Sequence, residues 1–294
     1  MSTGYDDGMH YIDIHTHVHF AAFQDDRDDV MRRAREAGVA MINVGTQIDT
    51  SRSAVELAHQ YSDGVYAAIG LHPIHTSPSF HDADELGEEG KPFTSRGEVF
   101  DAVAYRDLAQ DPRVVAIGEC GLDYYRVPDT ASKLKQVKAF EAQVAFAETV
   151  GKPLMLHLRS GEGGDAYRDA LDLLKHHDSV AGNCHFFAGT LDDARKFWDR
   201  GFSTSFTGVV TFTDAYDEVV RAAPADLIHA ETDAPYVAPK PYRGKRNEPS
   251  YVVEVAARLA EIRGVARDAF AAQLRQNAAR LFGVTLGTEP HGAI

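Results

Sequence analysis

Six side chains occupy the same place in the pattern of this chain. His15 and His17 close the apolar run YIDIHTH, Glu119 closes VVAIGE, His157 closes KPLMLH, His185 closes VAGNCH and Asp233 closes LIHAETD. Imidazole and carboxylate are the nitrogen and oxygen donors that hold divalent cations. A single histidine at the end of an apolar run is commonly a hydrogen-bonded structural group, and an HxH pair recurs by chance. Here five runs end in the same way, and a period of two puts His15 and His17 on one side of the chain. Gathered at one end of a sheet, six such groups form a costly polar cluster unless a cation neutralises them. Three or four N/O donors per ion, with positions left for water, are what a hydrolytic metal centre requires.

Other chemistries find little support. The chain lacks GxSxG, GxGxxG after the first strand, GxxxxGK[ST] and HExxH. Residues 161–164 read GEGG but lack the Lys-Ser/Thr partner of a phosphate loop, so they read as a turn. The two cysteines, Cys120 and Cys184, exclude a disulfide scaffold and a four-cysteine zinc site. Each follows or precedes a candidate ligand, and strand alternation turns it to the opposite face. Of the 14 histidines, His10, His59, His81, His176, His177 and His291 stand in polar or helical surroundings and read as surface residues.

The elements that must position these groups alternate. Strands are expected near Tyr11–His15, Ala40–Gly45, Val65–Leu71, Val114–Glu119, Pro153–Leu158, Val180–His185, Gly201–Phe206 and Leu227–Thr232. Helices are expected at Ser51–Tyr61, Lys133–Val150, Asp165–His176 and Asp192–Asp199, with Gly38, Gly151 and Gly201 closing three of the helices. Eight such units fit a closed (β/α)8 TIM barrel, whose strand ends form the rim that carries active sites. An open doubly wound sheet alternates too, and periodicity does not separate the two. Residues 75–104 break the rhythm with Asp82, Asp84, Glu85, Glu88 and Glu89, which suggests an acidic insertion over one face. Residues 249–283 read as two closing helices and 284–294 as a frayed tail. At about 150 residues per domain, 294 residues suggest two, but an α/β barrel of about 250 is one. With no break in the alternation, residues 1–294 are expected to form a single domain.

The composition, 44% hydrophobic and 25% charged, is that of a globular chain. Thirty basic against 44 acidic side chains leave −14, a field that repels nucleic acid in general and leaves any such chemistry to a local site. The first ten residues are polar and acidic, unlike a signal peptide, and no apolar run approaches the roughly 18 residues that span a bilayer. A reduced, cytoplasmic protein without membrane attachment or an evident obligate protein partner is the expectation.

The ordered motifs carry a resemblance. YIDIHTH, AIGLHP at 68–73, AIGECGLDYYR at 116–126, KPLMLHLR at 152–159, NCHFFAG at 183–189, ETDAPYVAP at 231–239, RNEP at 246–249 and NAARLFG at 277–283 resemble the TatD family of metal-dependent hydrolases, a branch of the amidohydrolase superfamily. The resemblance covers nearly the whole chain. It implies a TIM barrel, a two-metal site and a magnesium-dependent deoxyribonuclease or related phosphodiesterase activity. On the family pattern His15, His17, Glu119, His157, His185 and Asp233 fall on the metal ligands. Phe186 and Ala188 stand where members often carry other residues, and the segment 75–104 is longer than usual.

With that resemblance, His15, His17 and Asp233 would hold one ion and His157 and His185 the second. Glu119 would bridge, and Asp233, by superfamily analogy, would accept the proton of the attacking water. The cofactors expected are two divalent cations, Mg²⁺, Mn²⁺ or Zn²⁺, since imidazole and carboxylate without thiolate suit several metals. Arg159, two residues past His157, is a candidate phosphate contact. Lys240, Arg243, Lys245 and Arg246 form a dense basic patch after the last strand, where Arg243 and Arg246 suit an approaching phosphate backbone. His72 in LHP is a candidate for orienting the scissile group. DNA or an oligonucleotide is the expected substrate. The alternatives are an amidohydrolase or lactonase using the same metals on a small C–N or C–O substrate, and a barrel that binds metal without catalysis.

Overall fold

The computed structural model describes residues 8–78, 80–81, 93–94, 96–125 and 129–286. Its eight parallel strands are β1 (Tyr11–Thr16), β2 (Val39–Val44), β3 (Val65–Ile69), β4 (Val114–Asp123), β5 (Leu154–Arg159), β6 (Gly182–His185), β7 (Ser203–Phe206) and β8 (Ile228–Ala230). They are hydrogen-bonded in chain order from β1 to β8. A doubly wound sheet reverses its order at a switch point, and this one does not. The sheet nearly closes on itself. Thr16 bridges Ala234, the Asp233 amide donates to His15 O at 2.9 Å, and the His17 amide donates to Ala234 O at 2.8 Å. The architecture is a (β/α)8 TIM barrel.

The helices are α1 (Arg27–Glu36), α2 (Ile48–His59), α3 (Ala102–Ala109), α4 (Thr130–Val150), α5 (Ala166–Leu174), α6 (Leu191–Trp198), α7 (Asp217–Ala222), α8 (Val252–Arg263) and α9 (Arg267–Phe282). The last two are the closing pair expected from the sequence. The helix that the sequence closes at Gly38 is α1, whose RDDVMRRARE is mostly charged and buries only Val30, Met31 and Ala34. Gly38, Gly151 and Gly201 all take left-handed φ, as helix-ending glycines do.

Between 75 and 104 the described residues include a two-residue antiparallel pair, Phe80–His81 with Phe93–Thr94, and the start of α3. The acidic residues 82–89 lie outside the described residues, as do 1–7, Arg126 and 287–294, and with them the middle of the insertion and most of the tail.

Apolar side chains fill two layers. One lies between strands and helices and includes Met41, Ile69, Phe140, Leu156 and Phe197, with both cysteines. The other fills the barrel around Ile12, Ile14, Ile42, Ala68 and Met155 and is floored by Phe282 of α9. The inner layer occupies the lower barrel, which leaves the C-terminal rim to polar groups. Among the described residues, no helix is long and apolar enough to cross a membrane.

Candidate metal centre

The strand ends converge on one carboxylate. Glu119, 4% exposed, turns Oε2 toward His15 Nε2 at 3.4 Å and His17 Nε2 at 3.8 Å. Its Oε1 faces His157 Nδ1 at 2.8 Å, His185 Nε2 at 3.1 Å and His72 Nε2 at 3.1 Å. Asp233 Oδ1 joins the first group, 3.3 Å from His17 Nε2 and 3.7 Å from His15 Nε2, and the two Nε2 atoms are 3.2 Å apart. All six side chains singled out in the sequence therefore meet. Two features of β4 and the β8 loop permit this. A Cβ on Gly118 or Gly121 would stand 2.2 Å from Met155 O or His157 O, so only glycine lets β4 press against β5 on either side of Glu119. Asp13 ties β1 to the segment after β8, accepting from the His15 amide at 3.2 Å, the Thr232 amide at 2.9 Å and Thr232 Oγ1 at 2.5 Å. Two site positions carry uncommon left-handed backbone, Phe186 at φ 44° and Asp233 at φ 55°.

The hydrogen-bond partners assign the tautomers. His17 Nδ1 donates to Val44 O at 2.7 Å, His157 Nε2 to Asp123 Oδ2 at 2.9 Å and His185 Nδ1 to Glu231 Oε1 at 3.2 Å. His15 Nδ1 lies 2.9 Å from Met155 Sδ, which can only accept. Each ring thus binds an acceptor behind it and turns its other nitrogen toward Glu119; in His157 and His185, where both nitrogens face carboxylates, that nitrogen carries a proton that a cation would displace. Lone pairs 3.2 Å apart repel unless a positive charge stands between them. Acceptors behind imidazoles are the arrangement that orients metal-bound histidines. The separations of 3.2–3.8 Å around Glu119 Oε2 bracket the ligand edge of about 3.4 Å expected for a tetrahedral ion with bonds of about 2.1 Å. The donor set fits divalent cations. His72 is different. Its Nδ1 accepts from the Ile74 amide at 3.1 Å, so its proton is on Nε2 and points at Glu119 Oε1. Although His72, Glu119 and His157 lie close enough to share an ion, that proton makes His72 a hydrogen-bond donor.

The electrostatics favour positive charge here. Burial opposes ionisation of His157, yet hydrogen bonds to Asp123 and Glu119 hold it up to about 9. His185 is also pushed up against burial, by Glu231 and Glu119. Burial and the neighbouring His185 push His15 down to about 3. For Glu119 burial works toward the neutral form, but His72, His185 and His15 hold it well below the usual carboxylate range. Burial pushes the Cys120 and Cys184 thiols up, which leaves both unreactive.

The sequence model of the TatD related DNase family matches residues 12–283. The chain belongs to the TatD DNase family. It is 36% identical over 277 residues to a Bacillus subtilis protein named an uncharacterized metal-dependent hydrolase, YabD, covering 92% of this chain and 98% of that one. It is 34% identical over 282 residues to the 3'-5' ssDNA/RNA exonuclease TatD of Erwinia amylovora, covering 92% and 99%. The crystal structure of the TatD homologue YjjV from Escherichia coli superposes with a TM-score of 0.78 at 27% identity, covering 94% of this chain and 99% of that one.

In this TatD-family chain the candidate substrate contacts separate. Arg159 is exposed at the end of β5 and lies over the Tyr125 ring, Cζ 3.8 Å from the centroid. Arg243 is exposed after β8, its Cζ 4.1 Å over the Phe212 ring. Arg246 is held by neighbours within the fold. Its guanidinium donates to Ala22 O and to Asp26 Oδ2, each at 2.6 Å, and covers Phe23. The next two residues of RNEP are likewise structural. Asn247 Nδ2 donates to Thr232 O and Tyr236 O, and Glu248 pairs with Arg33 at 2.6 Å. The surface histidines behave as expected where described: His10, His59 and His176 are exposed and His177 pairs with Glu148 at 2.7 Å, while His81 and His291 have side chains outside the described residues. Sequence reasoning missed Asp123 and Glu231. Both lie on the alternating series of a recognised residue, Glu119–Gly121–Asp123 and Glu231–Asp233. Ending the fourth strand at Glu119 hid the first.

Proposed function

We propose that the chain is a phosphodiesterase that cleaves single-stranded DNA with two divalent cations, one held by His15, His17 and Asp233 and one by His157 and His185, with Glu119 shared. The observation that carries this is the division of Glu119, with Oε2 toward one pair of imidazole nitrogens and Oε1 toward the other. When bound, the cations supply Lewis-acid activation of water and charge neutralisation at the phosphoryl group. Asp233, only 13% exposed and 3.3 Å from His17 Nε2, accepts the proton of the attacking water as the new P–O bond forms and the bond to the leaving oxygen breaks. His72 presents its Nε2 proton at the same place and orients a phosphoryl oxygen. Arg159 and Arg243, with exposed Lys240 and Lys245, give an acidic protein a local positive rim. The name of the Erwinia relative supports single-stranded nucleic acid as the substrate class.

The test is purified protein with Mg²⁺ or Mn²⁺ and end-labelled single-stranded DNA, beside a panel of lactones and amides. DNA shortening that chelator abolishes is the expected result. Lactone or amide turnover without DNA cleavage would overturn it.

A further inference from the structure

We propose that Tyr125 and Arg159 form a stacking platform for a nucleobase next to the metal centre. The inference rests on the single-stranded nucleic-acid reading above and adds where the strand is held. Arg159 lies over Tyr125, Cζ 3.8 Å from the ring centroid, and Tyr125 remains 49% exposed. Among the described residues Arg159 makes no ion pair with a carboxylate, in a chain with 44 acidic side chains. A guanidinium laid on an aromatic face presents a flat, cationic π surface. Such a surface takes a base from any sequence and attracts the phosphate beside it.

The position is set by the candidate ligands. Asp123 and Arg159 are register partners across β4 and β5. Asp123 Oδ1 accepts from the Tyr125 amide at 3.0 Å while its Oδ2 receives His157 Nε2 at 2.9 Å. One carboxylate therefore orients both the imidazole that faces Glu119 and the backbone that carries the platform.

The platform is held from below. The Tyr124 amide donates to Arg159 O at 2.7 Å, and Tyr124 O accepts from the Gly163 amide at 3.2 Å. The Tyr124 ring is buried, bonded through its hydroxyl to Asp169 at 3.2 Å, with Lys133 Nζ 4.1 Å from its centroid. The GEGG turn has a use here. A Cβ on Gly161 would stand 2.6 Å from Tyr125 Cα, so only glycine lets the turn pack against the Tyr124–Tyr125 backbone. An aromatic fixed in this way loses little freedom when a base stacks on it.

The experiment uses single-stranded DNA with cleavage-resistant phosphorothioate linkages and 2-aminopurine at successive positions, titrated with metal-loaded protein. Stacking quenches the 2-aminopurine fluorescence at one position. Tyr125→Ala should abolish that quench and weaken binding about 5- to 100-fold, the range seen when an aromatic is removed from under a base. Tyr125→Phe, which keeps the ring, should retain both. An unchanged quench and Kd in Tyr125→Ala overturns the platform. Cleavage of unmodified DNA, measured in parallel, reports on the phosphodiesterase separately. Cleavage without a Tyr125-dependent quench removes the platform alone, and a quench without cleavage removes the phosphodiesterase reading alone. No binding by the native protein removes both.

Discussion

Replacing Glu231 by glutamine should weaken metal binding by about fivefold to a hundredfold and leave the fold intact. Glu231 is fully buried; Oε1 receives the Phe186 amide at 2.6 Å and His185 Nδ1 at 3.2 Å, and Oε2 receives Ser205 Oγ at 2.8 Å. A glutamine carbonyl can accept from His185 and Phe186. Its amide can donate to Ser205 Oγ, whose single proton, shared in the native protein between Glu231 Oε2 and Asn183 Oδ1, then goes to Asn183. The shape and the bond count survive, and only the charge is lost. A hydrogen bond to a charged group contributes about 1.5–3 kcal/mol against about 0.5–1.5 for a neutral one. The difference, about 1–2 kcal/mol, is about 5- to 30-fold at 1.4 kcal/mol per decade. Replacing the outer partners of metal-bound histidines commonly costs 10- to 100-fold, in the same range. Zn²⁺ competition against a chromogenic chelator gives the affinity, and far-UV circular dichroism and thermal melting report the fold. A folded Glu231→Gln protein with native metal affinity would refute the argument that Glu231 holds His185 Nε2 in place for a cation.

Four further outcomes are expected. Asp233→Asn should fold, keep at least one metal and turn over at least about a hundredfold slower, whereas Glu119→Ala should lose both ions; mass spectrometry of metal content with initial rates on an oligomer tests the two together, and native turnover in the first or full occupancy in the second refutes them. His72→Asn should keep its full metal content while losing rate, since His72 donates a hydrogen bond; loss of one equivalent of metal would make His72 a ligand. In the metal-free protein His157, raised from 6.5 to about 9, holds a proton at every pH below about 9. Metal must displace that proton, so affinity rises with pH until about 9 and uptake at neutral pH releases a proton, which calorimetry in two buffers of different ionisation enthalpy measures; pH-independent uptake would contradict it. Arg246→Ala should lower Tm by a few degrees, at about 2–4 °C per kcal/mol for a chain this long, with KM for DNA unchanged; a raised KM at native Tm would restore Arg246 to the substrate.

By itself the sequence determined which side chains stand at the rim. Parallel strands all end on one face of a barrel, so a histidine or carboxylate at the close of an apolar run is assigned its position by local periodicity alone. That is why His15, His17, Glu119, His157, His185 and Asp233 were legible one by one. Periodicity says nothing about what lies behind a ring. His72 and His157 both close apolar runs and both face Glu119 Oε1, and the structure separates them by the atoms on their far sides, the Ile74 amide in one case and Asp123 in the other. A donor behind the ring makes His72 a donor in front, and an acceptor behind His157 leaves the nitrogen in front able to take a cation once its proton is displaced. Arg246 shows the same limit at longer range. It read as part of an exposed basic run, but it pairs with Asp26, 220 residues away in the chain. Closure of the barrel, through Asp13 reaching Thr232 across 219 residues, belongs to the same class. A strand period encodes which face a side chain takes, whereas its partner's identity depends on contacts between distant segments, and these exist only once the barrel has closed.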